Sequence, residues 1–381
     1  MSKASKNVVP KRGAHTTNET NVGKLAKKRD ASFDIAKGLA IYLVVLGHMF
    51  AIGEIDAMSP AYNFINYTHM PVFFFISGWF FARYFRSRDG GEGKRFRQKA
   101  ARLLVPFLLW SLVAWVFNVA LHLKAGDPVL ASVLWETLDI FFHARSLWFL
   151  LVMFFMFAFM LLCHWLGRKT PINQYIWAVA GWLVLYVFFP DNSSVSVFRM
   201  FKFEWLFPLF MGGCLLGGGT VVFEKIRDFY RRLKPLCIVV LLAAVACIVA
   251  FYSDAFFDAY SIPNVWNWDA PWYLAVIIAS YLVSFACVTL VLLFSGVLSR
   301  TPIAKILQTA GLYSLDVYVI HMFFISAIKI VLPEAMKVGA MFEFCVSPLG
   351  SLVITAIVVL VAKYVLDRIP VYRRLMGRAG A

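Results

Sequence analysis

Three histidines in apolar surroundings, His48, His69 and His321, are the first candidates for chemistry, together with Lys37 and Asp316. Polar groups at such positions are costly, so each is a functional candidate by default. Lys37 and His48 stand eleven residues apart in FDIAKGLAIYLVVLGHMF. In a helix that is close to three turns, so both share a face, with a rise of about 16 Å between them. Asp34, three residues before Lys37, falls on the same stripe. A neutral imidazole has an ordinary pKa of about 6.5 and can take the proton of a poorly nucleophilic hydroxyl. His48 is therefore a candidate general base; the bland reading is a hydrogen-bonded packing histidine. For Asp34 and Lys37 the bland reading is an interfacial ion pair.

His69 lies two residues before Pro71 in NYTHMPVFFFISGWFFARYF. The proline removes one backbone hydrogen bond and frees a carbonyl near the histidine, which suits a polar pocket or a plain kink. Two histidines could bind a metal, but no third ligand is evident and none is expected. Asp316 and His321, in GLYSLDVYVIHMFF, are five residues apart and so not on one face. Asp34 is too far along its helix to orient His48; Asp316, from another helix, is the better partner. Arg199, Lys202 and Glu204 precede Trp205. They read either as an acceptor-binding rim or as an interfacial belt of snorkelling cations. The segment 86–102, RSRDGGEGKRFRQKAAR, is basic enough to bind phosphates, with Lys99 and Arg102 one turn apart. Its GGEGK is not a phosphate-binding P-loop, and neither a nucleophile elbow nor a dinucleotide fingerprint occurs.

The elements that must position these residues follow from composition. Of 381 residues, 61% are hydrophobic and only 15% charged. A soluble domain is about 45–50% apolar and about 25% charged. This composition excludes a soluble enzyme, a disulfide scaffold and a disordered chain. It predicts an all-α polytopic membrane bundle. Ten apolar segments have spanning length: 33–53, 61–85, 103–121, 147–166, 172–189, 204–222, 235–252, 272–298, 306–332 and 348–366. They do not alternate as barrel strands would. With the N-terminus in the cytoplasm, 29 of the 37 lysines and arginines fall inside and six outside. The +16 net charge is then a topology signal rather than a nucleic-acid footprint, and both termini are cytoplasmic.

Residues 1–32 read as a disordered basic tail, 33–366 as the membrane domain and 367–381 as a second basic tail. No cleavable signal peptide is visible. The six cysteines read as small buried hydrophobes. The outer segments 128–146 and 253–271 are aromatic and amphipathic; they could lie flat on the outer leaflet or roof a cavity.

Taken together, these segments resemble the acyltransferase-3 family of integral-membrane acyltransferases, and within it fucose-4-O-acetylase-like proteins. Four patterns carry the resemblance over roughly 33–366: Lys37 and His48 with ten residues between them; HMPVFFFISGWFF, with His69 and Ser77-Gly78; KAARLLVPF, with Lys99 and Arg102; and SLWFLLVMF with YSLDVYVIH. The family often has arginine where this chain has Lys37 and Lys99, and lysine cannot offer a planar bidentate fork. The resemblance implies transfer of an acyl group, commonly acetyl from cytoplasmic acetyl-CoA, onto a hydroxyl of a carbohydrate or other cell-envelope acceptor. On that reading His48, Asp316 and His321 are catalytic, and Lys37, Lys99 and Arg102 bind the phosphates of CoA. His69, Trp148, Arg199 and Glu204 meet the acceptor, in the plasma or inner membrane. A covalent acyl-His48 intermediate is an alternative route. A competing class is a transporter or flippase that uses the same intramembrane residues without chemistry. A sensing module that has lost catalysis is a third.

Overall fold

The computed structural model describes residues 31–53, 60–85, 92–144, 147–188, 200–217, 272–331, 343–344, 346–376 and 378. The chain divides into two units, Met1–Ala31 and Ser32–Ala381. The expected tail over 1–32 and the segments 235–252 and 253–271 lie almost wholly outside the described residues.

Among those residues the structure is helical and holds no strand. The helices are α1 (Ala31–Ile52), α2 (Pro60–Phe85), α3 (Glu92–Ala125), α4 (Val129–Thr137), α5 (Trp148–Lys169), α6 (Gln174–Phe188) and α7 (Met200–Gly217). They continue with α8 (Trp272–Leu298), α9 (Ala304–Leu312), α10 (Ser314–Val331), α11 (Pro348–Tyr364) and the short α12 (Pro370–Leu375). Five are long and apolar enough to cross a membrane, over Ala31–Ile52, Gly93–Ala125, Trp148–Lys169, Ile278–Leu298 and Pro348–Arg368. Their outer faces carry apolar stripes that water would not tolerate. On α3, Leu108, Leu112 and Val116 are 55%, 52% and 55% exposed at one-turn spacing. Such a stripe is stable against lipid, and the protein is an all-α membrane protein.

Inside, helices meet where glycine lets backbones approach. A β-carbon on Gly38 of α1 would strike the Leu307 carbonyl of α9, and one on Gly311 would strike the carbonyl of Asp34. α2 and α7 cross in the same way: Gly78 abuts the Phe210 carbonyl and Gly213 abuts that of Phe75. Association in lipid depends on such packing, because burying apolar surface gains little there. α11 begins with a side-chain cap, the Ser347 hydroxyl accepting from the Gly350 N–H at 3.1 Å with Pro348 at the first turn.

Two elements depart from the expected spans. The segment 306–332 is not one helix; Tyr313, at φ −97° and ψ 14°, divides it into α9 and α10. The segment after α3, expected on the outer side, is helical and closes over a cavity between α3 and α10. Its α4 and the π turn Leu138–Phe142 are fastened to α3 by polar bonds. Trp115 Nε1–H donates to Thr137 Oγ1 at 3.1 Å and Asn118 Nδ2–H to Glu136 Oε2 at 2.9 Å. Asp127 and Glu136 flank His122, at 2.7 Å from Nδ1 and 3.1 Å from Nε2.

Candidate active site

α1 and α10 bring His48 and His321 together, with ring centroids 5.2 Å apart. One helix earlier, the Gly38–Gly311 crossing packs α1 against α9, which leads into α10. His321 is buried, and its Nδ1–H donates to the Val317 carbonyl one turn back, at 2.9 Å. That bond fixes the tautomer: the lone pair is on Nε2, which is buried and has no partner among the described residues. A buried acceptor without a donor costs free energy unless something fills the role, which marks the position for a hydroxyl or a water. His48 is itself exposed, so its ring is open to a ligand.

His69 joins this group from α2. Its Nδ1–H donates to the Ile65 carbonyl at 2.5 Å, and it lies within electrostatic reach of His48 and Lys202. The Lys202 ammonium stands 5.8 Å from the centroid of the Trp148 ring, and Trp148 stacks on Phe74. Tyr318, which the sequence reading passed over, anchors this corner. Its ring lies 6.2 Å from that of His321, and its hydroxyl accepts from the Phe149 N–H at 3.2 Å, joining α10 to the start of α5. Glu204 is buried nearby in α7, where its backbone carbonyl accepts from Trp182 Nε1–H at 2.7 Å. Arg199 lies outside the described residues.

At the other end of α1 stands a cluster of cations. Lys37 pairs with Asp34 at 2.7 Å, the helix-start ion pair its spacing suggests. Lys99 of α3 lies within electrostatic reach of both Lys37 and Arg102. Its ammonium points inward, 5.6 Å from the Tyr84 ring and 5.7 Å from that of Phe157. Three cations held this close, with one carboxylate beside them, make a host for a polyanion. The rise from Lys37 to His48, about 16 Å, separates that host from the histidines.

The expectation that Asp316 orients His48 is corrected by the structure. Asp316 opens α10, in its first turn, and is fully buried. Arg378 grips it bidentately, Nη1 to Oδ2 at 2.6 Å and Nη2 to Oδ1 at 2.9 Å, and Tyr372 O–H donates to Oδ1 at 2.6 Å. Arg378 also pairs with Asp367 at 3.0 Å, while Tyr313 O–H donates to Asp367 Oδ2 at 2.9 Å. Burial, reinforced by the charge of Asp316, pushes the Tyr372 phenol well above its ordinary pKa, so it remains a donor. The reason is register. Five residues place Asp316 more than a turn from His321 and on another face, where the C-terminal segment rather than α1 supplies its partner. A buried carboxylate demands a cation, and Arg378 from the C-terminal basic segment supplies it.

With the geometry in hand, the chain can be set beside known proteins. The acyltransferase-domain model of the acyltransferase-3 family matches residues 30–368. The chain belongs to the acyltransferase-3 family. It is similar to the nodulation protein NolL of Mesorhizobium japonicum, 27% identical over 175 residues that cover 44% of this chain and 43% of the relative. It is also similar to NolL of Sinorhizobium fredii, 35% identical over 94 residues that cover 22% of this chain and 24% of the relative. The matched stretches thus span less than half the length of these relatives. No solved structure matches the chain.

Proposed function

We propose that the chain is a membrane O-acyltransferase that moves an acetyl or other short acyl group from cytoplasmic acyl-CoA to a hydroxyl of a cell-envelope carbohydrate. The observation that carries this reading is the paired His48 and His321, one ring facing open space and the other with a bare Nε2, above a cluster of three cations. Membership of the acyltransferase-3 family supports it. The remaining features of the proposal are a ten-span, multi-pass topology in the plasma or inner membrane, with both termini in the cytoplasm, and the three parts 1–32, 33–366 and 367–381.

Lys37, Lys99 and Arg102 hold the phosphates of CoA, and the pantetheine arm reaches up toward the histidines. His48 takes the proton of the acceptor hydroxyl as its oxygen attacks the thioester carbon. The C–S bond breaks, the thiolate leaves, and the imidazolium returns the proton to sulfur, giving an ester and free CoA. His321 Nε2 accepts a second hydrogen bond and holds the acceptor in line. General base catalysis of this kind contributes typically 10²–10⁴-fold. His69, Trp148, Arg199 and Glu204 frame the acceptor side.

Inverted membrane vesicles containing wild type or His48→Ala test the reading. Acetyl-CoA labelled in the acetyl group is supplied to the exposed cytoplasmic face, with crude envelope glycan as acceptor. CoA release and label in alkali-labile ester, both dependent on His48, are the expected result. Folded protein that releases no CoA from acetyl-CoA or longer acyl-CoAs would remove the enzyme reading and favour transport.

A further inference from the structure

A cavity of about 340 Å³ lies under the α4 roof, between α3 and α10, apart from every residue assigned above. Its volume is at the small end of the ~300–1,000 Å³ typical of ligand sites. Along α3, Asn118 on its wall is nineteen residues beyond Lys99. That is a rise of about 28 Å, so the cavity is at the end of the bundle away from the cation cluster. On α10 the wall is Val319, Met322 and Phe323, a single helical stripe. These residues bracket His321 in sequence, so the cavity is level with the histidine pair but around the helix from it.

The wall chemistry is specific. Glu136 and Asp139 line the cavity and are buried. Each oxygen of Glu136 accepts one bond, from Asn118 or His122, and a carboxylate oxygen has a second lone pair to offer. Both ring nitrogens of His122 face carboxylates, which only accept, so the ring serves both as an imidazolium and offsets their charge. Trp110 supplies the converse group: its Nε1–H is buried without an acceptor among the described residues. Its ring packs 5.5 Å from that of Phe323, centroid to centroid, forming an apolar plane beside the polar wall. Hydroxyls that donate to carboxylates and accept from an indole, on a ring with an apolar face, satisfy every part of this surface. Among the described residues, the histidines at this wall, His122 and His143, already stand against carboxylates, so an anion would meet carboxylate oxygens there.

We propose that this cavity is an anchoring subsite for a neutral sugar unit of the acceptor other than the unit that is acylated. The inference rests on the acyltransferase reading and deepens it: one unit sits under α4 while a unit further along the same acceptor, beyond α10, presents its hydroxyl to His48. Binding energy from a remote, unreactive part of a substrate is spent on positioning the reacting part, so acceptor length governs rate. On this reading the acceptor is a neutral oligosaccharide rather than a single sugar.

The test uses purified full-length protein in nanodiscs with acetyl-CoA. Methyl glycosides of neutral hexoses and N-acetylhexosamines are compared with their tetramers, reading kcat/KM from CoA release and ester formation. The wild type is expected to prefer a tetramer by tenfold or more on this scale, about 1.4 kcal/mol. Ala114→Trp, which fills the cavity from the α3 wall, should bring the ratio near one. The milder Trp110→Phe keeps the ring plane and removes the donor, and should cut the ratio about threefold. Leu130→Trp, on the exposed face of α4, should keep the wild-type ratio. A wild type indifferent to acceptor length, or a folded Ala114→Trp with an undiminished ratio, overturns the subsite and leaves the acyltransferase reading standing. If no acceptor is acylated at all, that reading falls, and a diazirine-bearing neutral tetramer then judges the cavity alone. Saturable crosslinks within 110–123 or at Val319, Met322 or Phe323, competed by neutral but not by uronic oligosaccharides, uphold it; their absence rejects it.

Discussion

α10 carries two polar groups five residues apart whose surroundings are opposites. Asp316, at its start, is saturated: both oxygens are taken by Arg378 and one also by Tyr372, and Arg378 is sandwiched between Tyr313 and Tyr372 at 4.9 Å and 5.8 Å from the ring centroids. His321 keeps a buried nitrogen with no partner among the described residues, and the ring beside it, His48, faces open space. Both are costly groups inside a bundle. The carboxylate of Asp316 is fully bonded, although Arg378 Nε and Asp367 Oδ1 beside it form no hydrogen bond among the described residues, whereas the His321 nitrogen is held in readiness for a ligand. On the proposed function, the difference separates a structural carboxylate from an imidazole that serves the reaction better than residue type or depth does.

The comparison yields predictions of decreasing size. His48→Ala should lower acyl transfer per folded molecule by about 10²–10⁴-fold, the range of a lost general base. Its thermal unfolding in detergent should stay near wild type, since His48 faces open space; a matching loss of stability would make it a packing residue after all. Arg378→Ala should do the reverse. It strands a buried carboxylate, at a cost of about 3–5 kcal/mol, and folded molecules should retain their rate. Melting unchanged from wild type would show that the network holds nothing.

Tyr372→Phe probes the same network more gently. It removes one hydrogen bond to a charged acceptor, worth about 1.5–3 kcal/mol, and should lower the melting point less than Arg378→Ala does. A drop as large as that of Arg378→Ala would assign the phenol, not the guanidinium, as the main partner. The smallest effect is expected from Lys99→Ala. Withdrawing one of three cations from a polyanion should raise KM for acyl-CoA about tenfold, or about 1.4 kcal/mol, with little change in kcat. A fall in kcat at unaltered KM would place Lys99 at the chemistry rather than at the donor.

Much of this was legible in the chain. The spacing of Lys37 and His48 put both on one face of α1, and Asp34 paired with Lys37 as an i, i+3 neighbour must, at 2.7 Å. The spans containing α1, α3, α5, α8 and α11 followed from their apolar runs. Local rules suffice there, because helix periodicity and the cost of polar groups in lipid act within one segment. The partner of Asp316 was not legible, since Arg378 is 62 residues away and reaches it only after α11 and α12 have turned back. The break at Tyr313 was equally hidden: no proline marks it, and Tyr313 is held by Asp367, 54 residues on. The cavity under α4 needed three elements at once, and no one of them carries its pattern.

By itself, then, the sequence determined that the chain is a helical membrane protein, that His48 and Lys37 share a face, and that Asp316 and His321 do not. Tertiary structure alone decided which intramembrane groups would be satisfied and which left open. It rests on approaches between elements distant in sequence, such as Arg378 reaching Asp316, or α1 and α9 meeting at Gly38 and Gly311. Hydrogen bonds are decided over about 3 Å, a distance that periodicity along a single helix cannot set between two.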